Sequence, residues 1–274
     1  MQVRFWGVRG SVASSGSHVA KLGGNTSCLE LTHDGHRLIF DAGTGLRALG
    51  ETLPTPVDTT LFFSHLHWDH VQGFPFFAPA FRPDTHLRLY GPGVDGARHL
   101  RDALARQMSP PHFPVPLSAM RARMDFADAL PGRAVETGPF RVTPFELPHP
   151  QGCLGYLVEA GDARVAYCTD VELTHERLPS EVGRLLAGVD ALVLDAQYTR
   201  DEYEGRVGPS KVGWGHSTNL DAAHIARAVG ARRLFLFHHD PARTDAQVED
   251  MAEEARAIFP ASEPARENKR VMLG

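Results

Sequence analysis

The sequence predicts a layered α/β fold on three observations. Short β-branched and aromatic runs alternate with helical patterns along the whole chain. Several of those runs are continuously apolar, as strands are when both faces of a sheet are covered. Strands also come in meandering groups ahead of helices, which fits packed layers better than strict βαβ alternation. With 274 residues, 42% of them hydrophobic and 22% charged, the chain can bury a large core, and disorder, collagen and coiled coil are excluded. One domain over residues 1–274 is the economical organisation, because no internal repeat, charge block or low-complexity run divides the chain.

In chain order, strands are expected at 2–6 (QVRFW), 27–32 (SCLELT), 37–41 (RLIFD), 59–63 (TTLFF) and 86–90 (HLRLY). Further strands are expected at 140–147, 154–159, 164–169, 191–195 and 233–237. Helical periodicity marks 44–51, 95–107, 179–187, 219–229 and 244–258. The last of these opens with Thr244 and Gln247 at capping-box spacing, and Gly230 is placed to end the fourth. Residues 108–118 (MSPPHFPVPLS) are proline-rich but lie mid-chain among apolar residues, which predicts an ordered loop over a site rather than a linker.

A net charge of −5 argues against a broad nucleic-acid-binding face but leaves room for a small phosphate pocket. Cys28, Cys153 and Cys168 form no CxxC pair and cannot all be bridged. Together with an N-terminus that lacks an apolar signal region, this predicts a cytoplasmic protein. The greasiest stretch, residues 74–81, is short and broken by Pro75 and Pro79, so no membrane association is expected.

The sharpest feature among the 15 histidines is Ser64-His65-Leu66-His67-Trp68-Asp69-His70, directly after the apolar run TTLFF. On a strand ending in a turn, alternation sends His65 and His67 to the same side, with Asp69 and His70 following in the turn. Three imidazoles and a carboxylate suit borderline divalent metals: zinc first, with manganese or iron tolerated. Four ligands exceed what one ion takes from one short loop, so two adjacent ions are expected.

This HxHxDH segment resembles the signature of the metallo-β-lactamase superfamily. Further motifs similar to that family follow in order: Leu147-Pro148-His149, Thr169-Asp170, and Phe237-His238-His239-Asp240-Pro241. The resemblance implies an αββα sandwich with both metals at one edge. His65, His67 and His149 would hold one metal, Asp69, His70 and His238 the other, and Asp170 would bridge them. His238 is favoured over His239 by its register after the strand. TIM-barrel amidohydrolases fit less well, because the chain lacks eight βα units. Calcineurin-like phosphatases would want a GNH[DE] segment where this chain has Gly24-Asn25-Thr26.

Within the superfamily, Asp195 at the end of ALVLD and the segment Gly215-His216-Ser217-Thr218 resemble the phosphodiesterase branch, as in tRNase Z and the phosphoribosyl cyclic phosphodiesterases. That likeness implies catalysis by Asp69, His216 and Asp195. A hydroxide shared by the two metals would attack phosphorus, and His216, backed by Asp195, would protonate the leaving oxygen. Arg9, Asn25, Lys211 and Trp68 are candidate substrate contacts, the aromatic segment around Phe74, Phe76, Phe77, Phe81 and Phe113 being mostly core. The loops 23–27 and 41–45 look like strand ends, the second placed where free N–H groups could meet an anion. tRNase Z inserts a tRNA-gripping arm between its third and fourth metal motifs, but here only 20 residues separate His149 from Asp170. The expected partner is therefore a small or cyclic, nucleotide-like phosphodiester and not a long nucleic acid, and a homodimer is compatible. Hydrolysis of a carbon ester such as a lactone, thioester or β-lactam is the alternative, and a non-catalytic metal-binding module a second.

Overall fold

Two seven-stranded mixed sheets pack face to face with helices on their outer faces, in a computed structural model that describes residues 1–274. The first sheet holds β1 (Gln2–Gly7), β2 (Cys28–His33), β3 (His36–Phe40), β4 (Val57–Phe62), β5 (Thr85–Pro92) and β6 (Arg123–Ala129) in sequence order. β14 (Arg270–Met272) is added beside β1. The second sheet runs in order through β7 (Val135–Thr137), β8 (Phe140–Leu147), β9 (Cys153–Ala160), β10 (Ala163–Cys168), β11 (Ala191–Asp195), β12 (Leu234–Phe237) and β13 (Ser262–Pro264). Each sheet is antiparallel along one half and parallel along the other, the parallel part spanning β3 to β6 in one and β10 to β13 in the other.

The space between the sheets is filled by Phe5, Phe40, Phe62, Tyr156, Tyr167, Phe235 and Phe237, all fully buried. Phe40 touches both Tyr156 and Tyr167 at ring distances of 5.3 and 5.7 Å. Outside the first sheet, α1 (Gly45–Glu51), α2 (Trp68–Val71) and α3 (Gly96–Gln107) lay Leu46, Leu49, Val71, Leu100 and Leu104 on Ile39, Leu61, Leu87 and Leu89. Outside the second, α4 (Ser180–Leu186), α6 (Asn219–Ala228) and α7 (Asp245–Ile258) cover Ala166, Leu192 and Leu236. α5 (Arg200–Tyr203) is a single capped turn. This double cover explains why β11 is buried at all five positions and reads as a solid apolar run.

Every predicted strand and helix is present, within two residues at either end. The capping box at Thr244 is formed, with the Gln247 amide donating to the Thr244 hydroxyl. The four strands absent from the prediction, β6, β7, β13 and β14, are the four sheet edges. The Pro-rich segment is ordered by packing, with Met108 buried beside Leu100 and Leu104 of α3 and the partly buried Phe113 and Leu117 against the same cluster. No helix is long and apolar enough to cross a membrane, and the three cysteines are free and buried.

Candidate metal centre

The strands deliver polar residues to one rim of the sandwich. Asp41 follows β3, residues 63–70 follow β4, His149 lies just past β8, Asp170 just past β10, Asp195 ends β11, and His238 follows β12. Most of these elements belong to the parallel halves, where carboxyl ends of strands gather in the usual place for a ligand. Strand alternation is not what aims the ligands. β4 stops at Phe62, so His65 and His67 lie on the extended segment beyond it, and Asp69 and His70 lie on α2. Asp41, Asp170 and His238 adopt positive φ of 60°, 46° and 61°, a conformation that Asp and His tolerate better than most residues. That turn throws His238 into the rim, and a Cβ on Gly10 would lie 2.5 Å from its ring. His239 points the other way, buried and donating from Nε2 to the Ala265 carbonyl at 3.0 Å.

Two clusters result. Ligand atoms of His65, His67, His149 and Asp170 lie within 4.8 Å of one another, as do those of Asp69, His70, Asp170 and His238. Asp170 belongs to both. Its Oδ2 is 3.6 Å from His65 Nε2, while its Oδ1 is 3.1 Å from His70 Nε2 and 3.2 Å from His238 Nε2. Asp69 Oδ2 lies 3.2 Å from both His70 Nε2 and His238 Nε2.

Surrounding groups orient each imidazole. His70 Nδ1 donates to Asp41 at 2.9 Å, and Asp41 is itself fixed by Ser64 and by the Tyr167 hydroxyl at 2.8 Å. His149 Nδ1 donates to the Gly215 carbonyl and His238 Nδ1 to Gln197 Oε1, both at 2.9 Å. His67 Nε2 donates to Gln151 Oε1 at 3.2 Å, which turns its Nδ1 toward His149 Nε2, 3.3 Å away. Each ring thus commits one nitrogen outward and keeps the other for the centre, as metal-binding histidines do.

The donor set fits divalent cations. His65 Nε2 and His70 Nε2 are buried with no hydrogen-bond partner. Asp41, Asp69 and Asp170 are buried, and their ion-pair partners are histidines only, never lysine or arginine. Burial opposes the charge on Asp69, yet the His70 and His238 rings hold its carboxyl well below the ordinary range. Burial also drives the His65 imidazole down, with His70 adding repulsion. Buried carboxylates against imidazoles with free lone pairs need positive charge between them, and a cation such as zinc supplies it.

A third group adjoins these two. His216 Nδ1 donates to Asp195 Oδ2 at 2.7 Å, and the His216 ring stacks on His238 at 5.0 Å and stands 5.4 Å from His149. Burial disfavours its imidazolium, but the Asp195 carboxylate outweighs that and raises His216 to about 9. Thr218, which caps α6 by accepting from the Asp221 amide, fixes the chain just beyond His216.

Among the substrate candidates, Arg9 is a correction. It is fully buried, its guanidinium donates to the carbonyls of Gly23, Asp240 and Arg243, and it pairs with Asp245 at 3.5 Å, so it braces the fold. Asn25 is similarly committed, donating from Nδ2 to Glu267 at 2.9 Å. Lys211 Nζ rests 3.9 Å above the Trp214 ring, on the segment leading to His216. Trp68 is 71% exposed on α2, between His67 and Asp69. The 43–45 loop offers nothing to an anion: Gly43 N, Thr44 N and Gly45 N donate to Ser27, Thr26 Oγ1 and Thr26 O. Its glycine serves packing, since a Cβ on Gly43 would sit 2.5 Å from the Asp69 carbonyl.

Sequence reasoning missed Asp41, Gln197 and Glu172. Asp41 carried the signal that identified Asp170, an Asp at the end of a strand, and was read only as the last residue of strand 37–41 and the first of the 41–45 loop. Glu172 accepts from the Tyr203 hydroxyl (2.6 Å), Gly213 N (2.8 Å) and Gly215 N (2.9 Å), tying down the loop that orients His149 and carries His216. No sequence signal marks it, because its partners are backbone amides distant in the chain.

Comparison with known proteins agrees with this geometry. The family model described as beta-lactamase superfamily domain matches residues 36–239. Ribonuclease Z of Streptococcus sanguinis is 26% identical over 317 residues, covering 94% of this chain and 96% of the relative. Ribonuclease BN of Cronobacter sakazakii is 26% identical over 275 residues, covering 84% and 87%. Among solved structures, the metallo-beta-lactamase fold protein YhfI from Bacillus subtilis superposes with a TM-score of 0.75 at 19% identity over 98% of both chains. The short form of human tRNase Z does so at 0.70 and 20% identity over the full length of both. The chain belongs to the metallo-β-lactamase superfamily.

Proposed function

We propose that this protein is a metal-dependent phosphodiesterase acting on a small or cyclic, nucleotide-like substrate. Two divalent ions, zinc foremost, are assigned to His65, His67 and His149 and to Asp69, His70 and His238, with Asp170 between them. Bound there, such ions supply a water nucleophile of lowered pKa and neutralise the phosphoryl oxygens. The protein's own part is orientation and proton supply. Ser64, Asp41, Gln151, Gly215 and Gln197 hold the ligand imidazoles, and His216 presents Nε2, the nitrogen not committed to Asp195, to the departing oxygen.

The observation that carries the reading is the His216–Asp195 pair beside the metal cluster. An alkoxide leaving phosphorus needs a proton donor more than the leaving group of a strained carbonyl ring does, so an imidazolium held by a buried carboxylate favours phosphorus over a lactone or β-lactam. Ribonuclease Z and ribonuclease BN, the named relatives, act on RNA, which supports a phosphodiester and makes RNA the competing substrate. Against a long RNA stand the net charge of −5 and the short His149–Asp170 connection. The streptococcal alignment also leaves several tens of that relative's residues without a counterpart here.

The test is a side-by-side assay of zinc-loaded protein on bis(p-nitrophenyl) phosphate, cyclic nucleotides, a precursor tRNA, a lactone and a cephalosporin. Turnover of the small diesters above the others is expected. Turnover confined to the carbon esters overturns the reading, and preference for precursor tRNA overturns its substrate class.

A further inference from the structure

We propose that the cavity beside His65 and His67 binds a second anionic group of the substrate, a terminal phosphate, through Arg106 on α3. This rests on the phosphodiesterase reading and adds a substrate class to it. The cavity measures about 710 Å³, a volume suited to a nucleotide-sized ligand. Its wall is continuous with the metal cluster, because His65, His67 and Gln151 line it, and α3 contributes His99 and Arg106 to the same space. Seven residues apart on a helix, those two side chains share a face two turns long, while Leu100 and Leu104 between them are buried in the core.

Arg106 is exposed and has no hydrogen bond and no acidic partner from its side chain, unlike Arg98 on the same helix, which pairs with Asp102. A free guanidinium lining a pocket that also reaches His65 and His67 is a ready receptor for a phosphate. Glu146 lines the same cavity from β8, so an anion is repelled from that wall and directed to α3. The end of α3 that carries Arg106 is anchored to the segment that carries the cluster. Gln107 Nε2 donates to the Val71 carbonyl at 2.9 Å, joining the end of α3 to the helix that carries Asp69 and His70. At the other end, a Cβ on Gly91 would lie 2.0 Å from the Gly96 carbonyl oxygen, a contact that seats α3 directly on β5.

The experiment compares thymidylyl-thymidine with and without a terminal 5′-phosphate on zinc-loaded wild type, Arg106→Ala and Arg106→Lys, reading KM and kcat by product analysis and Kd by calorimetry. The phosphorylated form is expected to show a KM and Kd about fivefold lower with wild type, the scale of a part-exposed charge pair. Arg106→Ala should abolish that preference while leaving kcat and KM for the unphosphorylated form unchanged, which also shows that it folds. Arg106→Lys should retain part of it. Equal KM and Kd for the two compounds with wild type, or a preference that survives Arg106→Ala, overturns the site. Cleavage of neither compound with the binding preference intact overturns the phosphodiesterase reading and leaves the anion site standing.

Discussion

Replacing Asp195 by asparagine preserves the size of the side chain and its acceptor for His216 Nδ1, and removes only the charge. The Asp195 carboxylate lies 2.7 Å from that nitrogen, and the His216 side chain is only 11% exposed, so little solvent screens the pair. With the carboxylate in place His216 stands at about 9. Without it, the ring loses the largest of the charges that raise it, Asp170 and Asp69 adding less, and falls toward its ordinary value of about 6.5, a loss of at most roughly 3 kcal/mol in proton affinity. At pH 8 the protonated share then falls from about nine-tenths to about 3%, so a step that needs the proton slows ~30-fold. The assay is kcat against pH for two diesters, one with an alkoxide leaving group and one with p-nitrophenolate, at matched metal content. The basic limb for the alkoxide substrate should move down by as much as about 2.5 pH units, while the nitrophenyl ester changes less than about threefold. Stability gives an independent sign. Because folding raises the His216 pKa, the Asp195 contribution is full below about pH 6.5 and is lost as pH rises through about 9, so the variant's melting deficit should shrink toward alkaline pH. Coincident basic limbs, or equal slowing of both substrates, would refute the proton-donor role.

Three further outcomes are expected. Asp41→Asn breaks the acceptor shared by His70, Ser64 and Tyr167 and should weaken zinc binding about 10–100-fold in a competitive chelator titration. Gly215→Ala places a Cβ 2.3 Å from His149 Nδ1 at a φ of +88°, so metal analysis should fall toward one ion per chain, with Glu172→Ala giving a milder loss of the same kind. Stripping metal with a chelator should lower the melting temperature because Asp69 and Asp170 lose their counter-charge, and zinc at about 100 times its Kd should restore about 2.7 kcal/mol. A melting curve indifferent to metal would mean that the cluster is balanced in some other way.

The sequence alone determined what is local and periodic. β11 and β12 were legible because they are buried on two faces and therefore apolar throughout, and β5 and β8 because their buried positions alternate with more exposed ones. His65, His67, Asp69 and His70 were legible because they are contiguous, and His149, Asp170 and His238 because each just follows a strand. The four edge strands were not, since an edge is short or polar so as not to pair with another chain: β6 carries Arg123, Asp125 and Asp128, and β7, β13 and β14 have three residues each. Tertiary structure decided everything that depends on distance between remote segments. It turned Arg9 from a candidate substrate contact into a buried brace, made Asp41 the orienting group of His70, gave Glu172 its hold on the 213–215 loop, and opened the cavity between α3 and the cluster. The physical reason is the same in each case. A hydrogen bond or a buried charge is defined by its partner, and the partners here stand tens to hundreds of residues away, where no local pattern records them.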